Sequence, residues 1–273
     1  MKKVLSFLIL VLGVTAPLNV PALAARAPSK LGNDISWPQC DRRLPSGQAF
    51  GIVGVTGGLA NTTNPCLSDQ LLWANNSTGA ANQPKAQLYV NTANPGGLNT
   101  SSWPQNNIDP LGNQAPNPYG TCDGADTLAC AWQYGWNRAV EDVYDRFKPA
   151  AQAANLSDEP AFYRWWLDVE IVNTWKEGPD GFPSNVADLE GMVAYFNSVG
   201  AQVGIYSTAY QWGQIVGSAV APASNLNGLK SWLAGARSEA DAKKRCALPP
   251  LTAGGQVVLT QFVRTYDYDY SCV

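Results

Sequence analysis

Tyr163-Arg164-Trp165-Trp166-Leu167-Asp168-Val169-Glu170 is a mainly apolar run that ends in two acids. Side chains alternate along an extended chain, so Trp166, Asp168 and Glu170 share one face. Leu167 and Val169 take the other face, as an outer layer packed against helices requires. The Cα atoms of Asp168 and Glu170 stand about 6.6 Å apart, two strand rises. Two acids on an inward face are costly unless used or paired. With Asp168 ionised, its charge disfavours ionisation of Glu170, which suits Glu170 for general-acid work. A surface salt-bridge pair gives the same Asp-x-Glu spacing. The aromatic strand before the pair, and Asn173 and Trp175 after it, favour a site.

Strand-like runs repeat on both sides of this segment: Asn33 to Trp37, Ala49 to Thr56, Lys85 to Asn91, Gln202 to Ser207, Leu229 to Ala234, Gln256 to Val263 and Tyr266 to Tyr270. Helical patterns lie between several of them. Trp132, Trp136, Ala139, Val140, Val143, Tyr144 and Phe147 form one apolar helix stripe, with Arg138, Glu141, Asp142, Asp145 and Arg146 off it. A second helix is predicted to open at Ser184 or Asn185, with Asp188 in a capping-box-like position, and to stop at Gly200. About eight strands with interleaved helices favour an α/β fold, a single TIM-like barrel, over an open sheet.

Composition narrows the chemistry. The chain has 273 residues, 45% of them hydrophobic and 14% charged, which suits a globular protein. It has no His, which removes Ser-His-Asp triads, Cys-His pairs and histidine metal sites together. Lys2, Lys3, an apolar run over Val4 to Val14 and Ala22-Leu23-Ala24 read as a signal peptide over residues 1–24. Without those lysines, 16 basic residues face 21 acidic ones, a balance unsuited to nucleic acid. Beyond the leader nothing is long and apolar enough for stable membrane insertion.

Cys40, Cys66, Cys122, Cys130, Cys246 and Cys272 are an even set in a chain read as exported, pointing to three disulfides. Six cysteines allow 15 connectivities; neighbours in order would give Cys40–Cys66, Cys122–Cys130 and Cys246–Cys272. Residues 92–129 carry five Pro, five Gly and six Asn, too long for an ordinary connector. On the barrel rim, with Trp103 and Tyr119, the segment reads as an ordered lid or groove wall.

Two further acid groups sit at strand ends. Asp34 and Ser36 share a face in Asp34-Ile35-Ser36-Trp37, as do Asp267 and Asp269 in Tyr266-Asp267-Tyr268-Asp269-Tyr270. In a closed barrel the first and last strands are neighbours, which brings Asp34 beside Asp267 or Asp269. Carboxylates flanked by Trp and Tyr suit a neutral sugar polymer, rings stacking on sugar faces while acids protonate the glycosidic oxygen. A calcium site and simple loop capping are the alternatives. The glycine-rich Gly51 to Gly58 lacks the spacing of a phosphate loop.

Taken together, these residues resemble the family 25 glycoside hydrolases, lysozymes (N-acetylmuramidases) that cut peptidoglycan. The resemblance rests on Asp34-x-Ser36 with Gln39, Phe50 to Gly58, Leu167-Asp168-Val169-Glu170, Gly204-Ile205-Tyr206-Ser207, Trp232-Leu233-Ala234, Gln261 and Asp267-x-Asp269. It implies an irregular barrel of about five βα units followed by three strands, one domain over 25–273. It implies cleavage of β-1,4 bonds, with Glu170 as catalytic acid, Asp168 its carboxylate partner, and Asp34 and Asp267 the supporting aspartates. Tyr206 matches a cleft tyrosine; Trp37, Trp166, Trp175, Trp232, Gln261 and Asp269 join it as expected substrate-binding residues. Gly54 and Gly57 depart from the family pattern, standing where it has Lys and Glu. The expectation is a monomer, secreted or cell-wall associated, acting on peptidoglycan or a related glycan without metal or cofactor. The alternatives are an inactive glycan-binding protein and a structural barrel whose acids are neutralised by Lys or Arg.

Overall fold

The structure, a computed structural model, describes residues 29–97 and 100–273. The signal segment expected over residues 1–24 lies outside the described residues. Strands β1 (Leu31–Ile35), β2 (Gly51–Gly54), β3 (Ala86–Asn91) and β4 (Arg164–Asp168) are followed by β5 (Gln202–Ser207), β6 (Lys230–Ala236), β7 (Gln256–Val263) and β8 (Asp267–Ser271). They close into one barrel in chain order. Neighbours from β1 to β7 are parallel, while β8 runs antiparallel to both β7 and β1. Helix α1 (Leu67–Asn75) follows β2, and α2 (Leu128–Glu141) with α3 (Lys148–Ala153) follows β3. Helices α4 (Gly178–Ser198), α5 (Ala209–Val216) and α6 (Glu239–Arg245) follow β4, β5 and β6. The α/β barrel is as expected, with five βα units carried by β2 to β6. The strands without helices are divided between the two ends, β1 being followed only by a 3-10 turn at Trp37–Gln39.

Alternation along the strands builds two apolar layers. Trp165 and Leu167 of β4 face outward, where Trp165 packs on Phe147 and Phe196 with ring centroids 5.1 and 4.8 Å away. Trp166 faces inward and meets Trp232 of β6 edge-on at 5.7 Å, above a plug that includes Phe50, Ile52 and Leu259. Gly204 on β5 makes room for this plug, since a Cβ there would lie 2.3 Å from the Trp166 ring. Each fully buried aromatic side chain is worth about 2–3 kcal/mol in area terms, so this plug gives the short strands a firm floor beneath the site.

The helix layer departs from the sequence pattern at two places. The stripe from Trp132 to Val140 is buried, but Asp142–Phe147 winds as a π-helix. The wider turn changes the phase, so Tyr144 emerges exposed while Asp142 and Arg146 go inside. Arg138, also off the apolar stripe, is buried as well. These charges are accommodated by pairing: Arg146 reaches Asp142 at 3.0 Å and Glu141 at 3.2 Å, and Arg138 pairs with Glu141. Helix α4 begins at Gly178, ahead of the predicted cap. Asn185 is consumed in a different task, donating from Nδ2 to the carbonyls of Lys176 and Ile215, and Asp188 is buried. Gly200, at φ +74°, ends that helix region as predicted.

The long segment after β3 is anchored at both ends. Asn94 donates to Ser184 Oγ at 2.9 Å, and Asp126 pairs with Lys176 at 2.8 Å. Its middle crosses the outside of the helix layer: Trp103 stacks on Tyr134 at 5.6 Å, and Tyr119 Oη donates to Glu190 at 2.6 Å. The expectation of a lid or groove wall is corrected on this point, because its aromatic anchors find partners on α2 and α4 and not over the barrel mouth. Three disulfides join the cysteines in sequence order, Cys40–Cys66, Cys122–Cys130 and Cys246–Cys272. Among the described residues no helix is long and apolar enough to cross a membrane.

Candidate active site

Three strands deliver acids to the same end of the barrel. Asp34 lies near the end of β1 and pairs in register with Asp267, the first residue of the antiparallel β8. Asp168 closes β4, and Glu170 follows two residues later. All four carboxyl groups line one cavity of about 260 Å³, together with Tyr89, Tyr206, Trp232, Gln261 and Val263. Asp269, on the same face of β8 as Asp267, is fully buried beside Asp34 and does not reach the cavity wall. Among the described residues none of these five acids forms an ion pair with Lys or Arg. That excludes the neutralised structural barrel as an account of them.

Without cations, burial is opposed only by hydrogen bonds. Burial, then the neighbouring Asp267 carboxylate, raises the Asp34 carboxyl to about 7. Burial raises Asp168 well above the ordinary carboxylate range, with the Glu170 charge adding to it. Asp269 is pushed up in the same way, by burial first and Asp34 second, and Asp267 by burial. Two pairs of acids are therefore in hydrogen-bonding reach, Asp168 with Glu170 and Asp34 with Asp269. Asp168 Oδ1 is buried with no other partner, while Asp269 also has the Trp232 indole beside it, which favours its charged form. Two carboxyl oxygens attract each other only through a proton, so the neighbouring acid adds to the effect of burial on Asp168 and on Asp269. The sequence expectation of an ionised Asp168 is thus modified: Asp168 is the more buried of the two acids, and burial holds its carboxyl well above the ordinary range.

The middle of the chain carries the likeness to known proteins. The family described as Lysozyme-like protein 1 matches residues 136–239, which hold Asp168, Glu170 and Tyr206. The "Probable GH family 25 lysozyme 4" of Dictyostelium discoideum is 32% identical over 104 residues, covering 34% of this chain and 45% of that one. "Lysozyme-like protein 5" of Caenorhabditis elegans is 48% identical over 52 residues, 19% of this chain and 22% of that one. Over these stretches the chain is similar to a family 25 lysozyme and to lysozyme-like proteins. The aligned segments span less than half of either relative. A solved muramidase from Trichobolus zukalii superposes over 88% of this chain and 92% of its own, at 16% identity and a TM-score of 0.44.

The other predicted residues of the site are only partly brought together. Tyr206 and Gln261 line the cavity and are linked: Tyr206 Oη donates to Gln261 Oε1 at 2.8 Å, and Gln261 Nε2 donates to Asp34 Oδ2 at 2.9 Å. Trp232 forms part of the wall. Trp166 does not, because it is sealed in the barrel plug with its Nε1 donating to Gln87. Asp269 is likewise shielded from any bound molecule. Trp37 stands half exposed on the 3-10 turn outside the cavity, and Trp175 lines a neighbouring depression while donating to the Glu170 carbonyl at 2.8 Å. Among the described residues no group of three or more His, Cys, Asp or Glu is arranged to hold a metal ion.

Sequence reading missed four contributors. Tyr89 and Asn91 share the inward face of β3, a signal the alternation of Gln87, Tyr89 and Asn91 contains. Tyr89 fills the space beside Gly54: a Cβ on Gly54 would lie 2.7 Å from both the Tyr89 ring and Ser36 Cβ. Gln211 at the start of α5 donates to Glu170 Oε1 at 3.2 Å, and Thr56 bonds Asn91.

Proposed function

We propose that this chain is a glycoside hydrolase that cleaves β-1,4 bonds of peptidoglycan, with Glu170 as the proton donor. The observation that carries the reading is the convergence of Asp34, Asp168, Glu170 and Asp267 on one open cavity with no paired cation. Glu170 is the less buried member of its pair, held at the mouth by Gln211. It passes its proton to the glycosidic oxygen as the bond to the sugar breaks. Positive charge then develops on the sugar ring inside a pocket of acids, where negative charge is worth more than in water. Asp34 and Asp267 supply that field. Tyr206 and Trp232 offer ring faces and edges to the sugar. The three disulfides support an oxidising, extracellular setting.

Incubation of residues 25–273 with purified peptidoglycan, followed by product analysis, tests the reading. New reducing ends are expected, and Glu170→Gln is expected to abolish them with an unchanged circular-dichroism spectrum. Saturable glycan binding with no product at any pH would instead establish a catalytically silent glycan-binding protein. Full activity in Glu170→Gln would remove the mechanism.

A further inference from the structure

Asn91 ends β3 and pairs in register with Asp168 of β4; Thr56 lies just beyond β2. The Thr56 hydroxyl oxygen accepts the backbone N–H of Asn91 at 3.0 Å, and its own proton is donated to Asn91 Oδ1 at 2.7 Å. A hydroxyl has a single proton to give. The Asn91 oxygen is therefore turned to Thr56 and the amide N–H to Asp168, where Nδ2 lies 2.6 Å from Oδ2. Flipping the amide would set its oxygen against the carboxylate at that distance. Asp168 Oδ2 is thus committed as an acceptor, which leaves the buried, otherwise unpartnered Oδ1 to hold a proton.

Two neighbouring acids resist the ionisation of Asp168, Glu170 on its own segment and Asp34 from β1. Tyr89 from β3 and Tyr206 from β5 face it as neutral groups, their hydroxyls kept protonated by burial and by these acids. Among these neighbours Asn91 alone favours the charged form. We propose that Asn91, locked by Thr56, is a positioning residue that steers the shared proton of the Asp168–Glu170 pair onto Glu170. The transfer breaks the O–H bond at Asp168 Oδ1 and forms one at the Glu170 carboxylate. The negative charge ends on Asp168, where the Asn91 N–H already waits. This rests on Glu170 being the donor, and it adds the residue that keeps that donor loaded.

Three variants test it. Thr56→Val keeps the shape but removes the lock, Asn91→Leu removes the donor, and Thr56→Ser keeps the hydroxyl. Thr56→Val is expected to lower kcat roughly tenfold and Asn91→Leu about a hundredfold, the range for losing a hydrogen bond to a charged group. KM should stay within about twofold, and the basic limb of kcat should move up by about one pH unit, because Asp168 then grips the proton more tightly. Thr56→Ser should return the profile toward wild type. A fall in kcat with an unmoved limb, or a Thr56→Ser variant no better than Thr56→Val, would overturn the proposal. Carboxyl-13C NMR titration reads the same displacement without turnover. If the wild type hydrolyses nothing, the glycosidase reading fails by itself, while an Asp168 midpoint raised in Thr56→Val still supports the steering role and an unmoved one still overturns it.

Discussion

Two buried acid clusters in this molecule share a perturbed titration and little else. In the helix layer Asp142 rises to about 7, because burial outweighs the nearby Arg146 and Arg138. At the barrel mouth Asp34 rises to about 7 as well, with a second acid and no arginine beside it. The first cluster is closed: Arg146 pairs with both Glu141 and Asp142, and its Nε donates to the Thr62 carbonyl at 3.0 Å. The second opens onto a cavity. A shifted acid is therefore an ambiguous sign of chemistry. The missing counter-charge together with access to a ligand separates a site from a strut.

The largest effect is expected at the mouth. Glu170→Gln should reduce reducing-end release from peptidoglycan by about 10²–10⁴-fold, the usual span for a lost general acid, with the melting temperature unchanged. A matching loss of stability would mean that Glu170 is structural and would erase the contrast. In the helix layer the order reverses. Arg146→Met should cost about 3–5 kcal/mol in denaturant unfolding at pH 8, because it leaves buried acids uncompensated, while turnover of the folded fraction persists. The cost should shrink at pH 5, where Asp142 is neutral.

Asp34→Asn sharpens the comparison further. The folded carboxyl titrates at about 7 and the unfolded one near 3.9, so the native state binds the proton more tightly. Its contribution to stability is complete below pH ~4 and disappears as pH rises through about 7. Asp34→Asn should thus be more stable than wild type at pH 8, by up to ~4 kcal/mol, with the gap closing toward pH 4. Activity should fall in the same variant. Urea unfolding at both pH values checks this, and a pH-independent difference would rule it out. The smallest change is expected outside both clusters: Tyr119→Phe should lose about 1 kcal/mol with the bond to Glu190 and leave hydrolysis at wild-type rate.

The barrel and most of its acids could be read from residue order because strand alternation is local. Asp168, Glu170, Asp34 and Asp267 declare themselves as polar breaks at the ends of apolar runs. Asn91 and Thr56 could not be read in this way, since Asn and Thr before an Asn-rich loop look like turn residues. Their role exists only through the register that sets Asn91 beside Asp168. The start of α4 was hidden by Gly178, Pro179, Gly181 and Pro183, which locally argue against a helix. Trp166 could not be told from a cleft tryptophan, because a barrel's inward face serves both its plug and its mouth. Arg138 and Arg146 look solvated until the π-turn and the segment after β3 are in place.

The packing of Tyr89 into the space beside Gly54 also limits what the strand end can carry. Any side chain built at position 54 meets the Tyr89 ring and Ser36 at its first carbon. A larger residue at position 54 therefore requires a shorter one at position 89. The two positions are thus sterically coupled, so Gly54→Ala alone should destabilise the fold more than Gly54→Ala combined with Tyr89→Leu.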